Sequence, residues 1–333
     1  MLGRVLLTGG AGFIGSHVAE ALLRRGSSLT IVDNLDSFYS PETKRANLEE
    51  VRRLGRFAFH QADIRDRFAM RRIFSSSRPQ AVIHLAARPG VRTSFVEPEL
   101  YEQVNVGGTT CLLECAREIG VRKFVFGSSS SVYGDSPQLP FCERQPELKP
   151  ISPYACTKLA AELECRRFSE SSGMPVICLR FFTVYGARQR PDLAIHKFTA
   201  LLEAGLPLPV YGDGCSGRDY TYIDDVVAGV LAALDYPASP AAGSGPFEIF
   251  NLGNSCPVAL NELISMLENA TGRRARRDPH PAPPGDVLLT WADVSKASSL
   301  LDYRPVTSLQ EGLRRFMDWY RASTATRGIG VVA

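Results

Sequence analysis

Short apolar runs alternate with longer amphipathic segments from residue 4 onward. The chain presents RVLLTGG, HVAEALLRRG and LTIVDN in succession, and the alternation continues through AVIHLAA and PVICLRFF. Short apolar runs are typical of buried strands, whereas apolar residues spaced three and four apart are typical of helices. Strands that alternate with helices pair in parallel, so the pattern predicts an α/β fold with about six or seven strands in a doubly wound sheet.

The alternation stops beyond about residue 186, where stretches rich in proline and glycine follow. We therefore assign residues 1–186 to a Rossmann-like dinucleotide-binding domain and residues 187–322 mainly to a smaller C-terminal lobe that binds substrate. The apolar segment 247–254 is predicted to return to the first domain as a strand that completes its sheet. Residues 323–333 are small and unpatterned, which predicts a flexible tail.

Composition and charge narrow the class of protein. Of the 333 residues, 44% are hydrophobic and 22% charged, as in ordinary globular proteins, and a net charge of +3 is too small to indicate a nucleic-acid partner. Neither a signal peptide nor an apolar stretch of membrane-spanning length is evident, so we expect a cytoplasmic protein without a membrane partner. The eight cysteines form no C-x-x-C pair, which favours buried reduced thiols and no metal site.

A glycine-rich turn follows the first predicted strand. Gly9, Gly12 and Gly15 have the spacing G-x-x-G-x-x-G and lead into a helix. Glycines at such a turn allow positive φ, close approach of a pyrophosphate, and close packing of helix on strand. Free N–H groups at the helix N-terminus then bind the phosphates. The motif predicts a dinucleotide site.

Asp33 ends the second predicted strand, where an acid accepts hydrogen bonds from both ribose hydroxyls and repels a 2′-phosphate. NAD is therefore favoured over NADP; the competing interpretation is a glycine-rich turn with a capping aspartate. Asp63 ends the next strand and is predicted to meet the adenine amino group, although such an aspartate can instead cap a helix. The other residues assigned to the cofactor are Phe13, Ile14, Asn34, Ile64, Leu85, Ala86, Ala87 and Asn105.

Ser152, Pro153 and Tyr154 are predicted to begin a helix, with Ser152 as its N-cap. Lys158 follows Tyr154 by four residues and therefore lies on the same helix face. A lysine ammonium beside a phenol, together with the positive nicotinamide ring, is expected to lower the phenol pKa toward the working range of a general base. Ser129, at the end of a strand, is the predicted relay to the reacting sugar oxygen. Tyr154 and Lys158 are also assigned to cofactor binding.

These motifs together resemble a known family. TGGAGFIG, the set Ser129, Tyr154 and Lys158, LRFFTVYG and RDYTYIDD are each similar to motifs of extended short-chain dehydrogenases that act on nucleotide sugars. The resemblance extends from residue 4 to about residue 320. It implies an NAD-dependent enzyme with a UDP-sugar substrate, and a homodimer formed by two long helices, here those around residues 106–120 and 154–168.

The segment FFTVYGARQRPDLA (181–194) is most similar to that of UDP-glucuronate 4-epimerases. The resemblance implies that Thr183 and Arg190 hold a sugar carboxylate, for which a guanidinium fork is suited. Pairing of Arg190 with Asp192 is the alternative. The other residues assigned to substrate are Arg92, Ser129 and Ser130 near the sugar, Arg218 at the diphosphate and Asp286 at the ribose. Pro283, three residues before Asp286, departs from the arginine or glutamine of many relatives and lacks the side chain with which that residue type would contact the nucleotide.

Several reactions share hydride transfer from sugar carbon 4 to NAD. A 4,6-dehydratase carries an Asp-Glu pair directly after the catalytic hydroxyl, where this chain has Ser130 and Ser131. The resemblance thus favours 4-epimerisation of UDP-glucuronate to UDP-galacturonate. The alternatives are epimerisation of UDP-glucose or UDP-N-acetylglucosamine, decarboxylation of UDP-glucuronate, and, from another class, a non-catalytic NAD sensor.

Overall fold

The computed structural model describes residues 3–237 and 246–327. The strands are β1 (Arg4–Thr8), β2 (Ser28–Asp33), β3 (Ala58–Gln61), β4 (Ala81–His84), β5 (Lys123–Ser129), β6 (Val176–Phe181), β7 (Thr183–Tyr185), β8 (Leu208–Tyr211), β9 (Gly217–Tyr222), β10 (Phe247–Leu252), β11 (Pro257–Ala259) and β12 (Arg277–His280).

The α-helices are α1 (Phe13–Arg24), α2 (Pro41–Leu54), α3 (Arg67–Ser77), α4 (Val91–Ser94), α5 (Pro98–Tyr101), α6 (Gly108–Ile119), α7 (Pro153–Ser172), α8 (Ala194–Glu203), α9 (Ile223–Asp235), α10 (Leu260–Thr271), α11 (Ser295–Leu301) and α12 (Leu309–Arg327). A π-helical turn, Glu102–Gly107, precedes α6, and a 3₁₀ turn, Ser130–Tyr133, follows β5.

A seven-stranded parallel sheet forms the larger half, in the order β10-β6-β5-β4-β1-β2-β3. Its central strands β1 and β4 are almost fully buried, because helices cover both faces. The doubly wound α/β prediction is confirmed. Strand order reverses between β1 and β4, and the crevice at such a point is where ligands bind in these folds.

The segment predicted to return to the sheet forms its edge strand, since Phe247–Leu252 pairs in parallel with Val176–Phe181. Helix α9 packs against α1 and β5. The part of the chain after residue 186 therefore supplies both a helix and a strand to the larger half.

Two small sheets form the second lobe. The first has the order β11-β9-β7 and the second joins β12 to β8. Strand β7 follows β6 after a single residue and pairs with β9 rather than with the main sheet. Thr183 is thereby placed where the second lobe meets the carboxyl edge of the main sheet.

The prediction of a flexible tail from Ser323 is wrong for its first residues. Helix α12 continues to Arg327, and the hydroxyls of Ser323 and Thr324 donate to the carbonyl of Tyr320. The buried face of the preceding turns, which includes Phe316, anchors a helix that small residues can extend. Residues 328–333 lie outside the described residues.

The cysteines are all unpaired, but the prediction that they are buried holds only in part. Cys111, Cys115, Cys165 and Cys178 are buried, whereas Cys156, Cys215 and Cys256 are exposed. The exposed three stand on an outward helix face or in loops of the second lobe, which the local apolar pattern did not distinguish. Across residues 3–237 and 246–327, no helix is both long and apolar enough to cross a bilayer.

Candidate active site

The glycine-rich turn between β1 and α1 is packed against the end of β4. Gly9 has φ +73°, and a Cβ there would lie 2.6 Å from the Ala86 nitrogen. A Cβ on Gly15 would lie 2.0 Å from the Gly9 carbonyl oxygen. No side chain fits at either position, so both glycines are required by the backbone. Gly12 is the N-cap of α1 and leaves the first N–H groups of that helix open to a ligand.

Asp33 closes this turn from the end of β2. Its carboxylate accepts hydrogen bonds from the backbone N–H groups of Ala11 at 3.1 Å and Leu35 at 2.9 Å. Burial raises the pKa of this carboxyl above its usual range. Each carboxylate oxygen has a second lone pair, so Asp33 can still accept from a ribose hydroxyl while it holds the turn.

One elongated cavity runs along the carboxyl edge of the main sheet. Of the residues assigned to the cofactor from sequence, every one except Asn105 lines it: Gly9, Gly12, Phe13, Ile14, Gly15, Asp33, Asn34, Asp63, Ile64, Leu85, Ala86, Ala87, Tyr154 and Lys158. Asn105 lies in the π-helical turn behind the wall. Its amide exchanges hydrogen bonds with the Arg88 backbone at 2.8 and 3.1 Å and donates to Thr157, so it supports the cavity from outside.

Asp63 is not a helix cap, because Asp66 caps α3 by accepting from the Ala69 N–H. The Asp63 carboxylate is paired with Arg65 at 2.8 Å, and this hydrogen-bonded partner lowers the pKa of Asp63. Asp63 lines the cavity, and its place beside the adenine stays a prediction.

Tyr154 and Lys158 are presented by α7 as the sequence predicts. Ser152 caps the helix by accepting from the Ala155 N–H, and Pro153 occupies the first turn. Lys158 lies beneath the cavity floor, where its Nζ donates to the Gly127 carbonyl at 2.8 Å. Burial lowers the pKa of Lys158 to about 8. The ammonium is therefore close to titrating at neutral pH.

The predicted lowering of the Tyr154 pKa by Lys158 together with the nicotinamide ring stays a prediction. Burial raises the pKa of the Tyr154 phenol, and the opposing influences are a hydrogen bond with Ser129 and the charge of Arg190. The Lys158 ammonium donates to a backbone carbonyl. Arg190 is a nearby cation that the sequence reasoning did not place beside the phenol.

A second, smaller cavity adjoins the hydroxyl-rich end of β5. Its wall includes four residues that were assigned to substrate: Ser130, Thr183, Arg218 and Asp286. Arg218 and Asp286 form an ion pair with each other, although 68 residues separate them. Ser129 lines neither of these two cavities; it caps the 3₁₀ turn and donates to the Ser131 hydroxyl at 3.1 Å.

Two predicted substrate arginines have other partners. Arg190 lines the first cavity and forms a fork on Asp192, with distances of 2.9 and 2.8 Å, which is the alternative that the sequence left open. Arg92 lines neither of these two cavities; its guanidinium lies 4.1 Å from the centre of the Tyr211 ring.

Several residues of the first cavity were missed, among them Phe38, Tyr39, Lys44 and Arg88. The first three belong to the loop after β2 and the start of α2, and the last follows β4. Their position directly after strands that end at the same sheet edge was the available signal. Neither the glycine spacing nor the charge pattern pointed to these side chains.

The residues present fit a dinucleotide. The turn has glycines where a Cβ would collide, Asp33 offers acceptors for a ribose, and the buried hydroxyl of Tyr39 has no partner in the protein. In the described parts of the chain, no group of three or more histidine, cysteine, aspartate or glutamate residues could hold a metal ion.

Comparison with known proteins places these features in context. The profile of the family described as GDP-mannose 4,6 dehydratase matches residues 6–316. The UDP-glucuronate 4-epimerase of Thermodesulfobacterium geofontis is 41% identical over 96% of this chain and 96% of its own length. The UDP-glucuronate 4-epimerase 4 of Arabidopsis thaliana is 39% identical over 95% of this chain and 75% of its own.

Solved structures of sugar-nucleotide epimerases are also similar to this chain. The UDP-glucuronic acid 4-epimerase from Bacillus cereus, in complex with UDP-glucuronic acid and NAD, has a TM-score of 0.89 at 36% identity, covering 96% of this chain and 99% of that chain. The UDP-glucose 4-epimerase from Thermotoga maritima, with UDP-glucose, has a TM-score of 0.87 at 34% identity, covering 96% and 99%.

Proposed function

We propose, from the premise that this chain belongs to the GDP-mannose 4,6-dehydratase family, that it is an NAD-dependent UDP-sugar 4-epimerase that interconverts UDP-glucuronate and UDP-galacturonate. One observation carries the proposal: the Tyr154 phenol and the Arg190 guanidinium line the same cavity as the glycine-rich turn. A proton acceptor and a carboxylate-binding fork thus stand on the same wall.

The glycine-rich turn and Asp33 would hold NAD, which would supply hydride transfer at sugar carbon 4. The chain's own residues move the proton. Tyr154 takes it from the 4-hydroxyl, with Ser129 as the hydrogen-bonded relay, and the Arg190 charge favours the phenolate that must form. Lys158 donates to the Gly127 carbonyl and stabilises the part of the cavity wall on which the reacting groups lie.

Dehydration is disfavoured by the residues next to Ser129. Elimination of water across carbons 5 and 6 needs an acid and a base, and Ser130 and Ser131 supply only hydroxyls there. Asp286 is the one carboxylate on the second cavity's wall, and Arg218 is paired with it. The family description as a dehydratase therefore does not extend to the reaction proposed here.

Arg190, on the wall of the first cavity, is the proposed site of the sugar carboxylate, whereas Thr183, the other donor expected for it, lines the second cavity. The guanidinium already makes a two-point contact with one carboxylate, Asp192, which is the geometry that a uronate would use. Substrate binding then exchanges Asp192 for the sugar carboxylate. A neutral UDP-hexose offers no such exchange, which ranks UDP-glucose second.

The test is incubation of the purified protein with UDP-glucuronate and NAD in heavy water, followed by NMR. Formation of UDP-galacturonate without carbon dioxide is the expected result. A UDP-pentose with carbon dioxide would make the protein a decarboxylase, and turnover of UDP-glucose alone would move the proposal to the neutral sugar. No turnover of either substrate, with NAD bound, would favour a sensor.

We further propose a homodimer in the cytoplasm. Helices α6 and α7 are the proposed interface, and the 57% exposed side chain of Leu163 on α7 is an apolar group that a partner helix would cover. Unpaired thiols suit a reducing compartment. Light scattering should give twice the chain mass, and Leu163→Arg should reduce it to one chain; a wild-type mass of one chain would reject the dimer.

A further inference from the structure

Tyr39 has a hydroxyl that the protein buries and leaves without a hydrogen-bond partner. A buried, unpaired hydroxyl costs free energy, so native structures retain one chiefly where a ligand or water completes it. The residue lies on the wall of the first cavity. Neither the glycine motif nor the chemistry at Tyr154 makes use of it.

The hydroxyl is aimed at the glycine-rich turn. A Cβ placed on Gly12 would lie 3.9 Å from the Tyr39 oxygen, and Gly12 is the residue whose place as N-cap opens the first N–H groups of α1 to the cavity. An anion at those N–H groups would therefore have the phenol as a further donor on its other side.

The loop that carries Tyr39 is held in place by its neighbours. The Lys44 Nζ donates to the Asp36 carbonyl at 2.6 Å and lies 4.8 Å from the centre of the Tyr39 ring. The guanidiniums of Arg88 and Arg190 lie 5.2 and 5.5 Å from the Phe38 ring centre. The phenol is thus a fixed donor, because the ring is packed while its oxygen stays unpaired.

Burial raises the pKa of Tyr39, and the Asp33 carboxylate raises it further. The hydroxyl therefore keeps its proton at neutral pH, and it can donate. A donor that cannot ionise suits a permanently anionic group, which the diphosphate of a dinucleotide is.

From these contacts we infer that Tyr39 is a cofactor-binding residue whose hydroxyl donates a hydrogen bond to the diphosphate of NAD above Gly12. The inference rests on the proposed use of NAD and adds a side-chain donor to a site that is otherwise built from backbone. It also explains why a hydroxyl is retained there, since phenylalanine would pack equally well in the protein alone.

The test uses Tyr39→Phe and a matched control, Tyr303→Phe, in the full chain. The Tyr303 hydroxyl is buried too, but it donates to the Gly253 carbonyl at 2.9 Å. Tyr39→Phe should weaken NAD and ADP-ribose binding about tenfold or more, as expected for a hydrogen bond to a charged group, and leave the Tm without ligand unchanged or higher. Tyr303→Phe should lower the Tm and leave both affinities unchanged.

Adenosine separates the diphosphate from the nucleoside. Its affinity should be the same in wild type and Tyr39→Phe, since it has no phosphate. Equal binding of ADP-ribose by the two proteins would overturn the inference, as would an equal loss for adenosine. A wild-type protein that binds no NAD would instead refute the proposed function, so the two failures are distinguishable by titration calorimetry.

Discussion

The two cavities differ in the groups that form their walls. The first is shaped by backbone: glycines that admit no Cβ, N–H groups at the start of α1, and a buried aspartate held by two amides. In the second, the charged groups belong to side chains that are paired with each other, as Arg218 is with Asp286. Backbone geometry cannot be rearranged cheaply, whereas side chains can exchange partners, so the first cavity, the proposed cofactor half, is preorganised, and the second, the proposed substrate half, is exchangeable.

Two arginine–carboxylate pairs show a further contrast between fixed and exchangeable groups. The Arg180 and Glu162 side chains are 2% and 3% exposed and are fixed between β6 and α7. The Arg190 and Asp192 side chains are 19% and 41% exposed and lie at the cavity wall. A buried pair is costly to break, but a pair near solvent is worth little and can be given up to a ligand.

Tyr154 lies on the wall of the first cavity, and its loss should have the largest effect. Tyr154→Phe should lower kcat for epimerisation about 10²- to 10⁴-fold, the usual contribution of a general acid–base group. NAD affinity should change much less than kcat, because the glycine-rich turn and Asp33 are unaltered. Steady-state kinetics and titration of NAD measure the two separately; a variant with kcat within about tenfold of wild type would remove Tyr154 from the proposed chemistry.

Glu162→Gln and Asp192→Asn compare the two ion pairs directly. Glu162→Gln should lower the free energy of unfolding by about 3–5 kcal/mol, because the Arg180 charge stays buried without its partner. Asp192→Asn should lower it by less than about 1 kcal/mol. Urea denaturation gives both values, and equal losses would show that the Arg190 pair is as permanent as the buried one.

Arg190→Met tests the exchange of partners at the substrate. The variant should raise KM for UDP-glucuronate about 10- to 150-fold, the range for losing a hydrogen bond to a charged group. KM for UDP-glucose should change little, since that sugar carries no carboxylate. Parallel kinetics on the two substrates provide the control, and an equal rise for both would place Arg190 at a group that the two sugars share.

Gly15→Ala tests the backbone of the cofactor half. The new methyl group would collide with the Gly9 carbonyl, so we expect a loss of about 1–3 kcal/mol in unfolding free energy together with weaker NAD binding. Gly107→Ala is the control, because Gly107 has helical φ and nothing lies within 4 Å of its would-be Cβ. Thermal unfolding should leave that variant unchanged or slightly stabilised.

A contact between α1 and the loop after β7 should make the free energy of unfolding depend on pH. Burial and the Arg188 charge lower the pKa of His17 from 6.5 to about 3. The neutral ring accepts from Arg188 through Nδ1 at 2.8 Å and donates to the Ala187 carbonyl through Nε2 at 2.9 Å, which holds the loop before Arg190 on α1.

Below pH 6.5 the unfolded chain binds a proton at His17 that the folded protein refuses until about pH 3, so this residue's contribution to stability falls as pH falls through that window. His17→Gln lacks the titration. The wild-type free energy of unfolding should therefore fall relative to the variant between pH 7.5 and pH 5 in urea denaturation. Parallel curves would show that His17 does not titrate on unfolding in this way.

The spacing of neighbouring residues correctly predicted the features that local backbone geometry determines. The cap at Ser152, the helix face shared by Tyr154 and Lys158, and the glycine turn follow from residues within eight positions of one another, and the structure has them as predicted. The strand at 247–252 was recognisable from its apolar run. In such elements the spacing of apolar residues follows directly from the hydrogen-bonding period of the helix or strand.

Partners distant in the sequence could not be read in this way. Which carboxylate Arg218 or Arg190 pairs with depends on the placement of whole elements, and the direction of the Lys158 ammonium depends on a carbonyl 31 residues away. Tyr39 was missed because its significance lies in a hydrogen bond that the protein does not make. The residue pattern of a single chain indicates which side chains are packed. It does not indicate which hydrogen bonds the folded protein leaves unmade.

Edge strand β10 also bears on how the molecule is made. Its partner β6 ends at Phe181, but β10 ends at Leu252, so a ribosome adding about 5–20 residues per second leaves one flank of the nascent sheet uncovered for several seconds. An uncovered flank is a template for pairing with another chain. Slow translation of the intervening lobe should therefore favour aggregation of the newborn protein, even where the finished enzyme is stable.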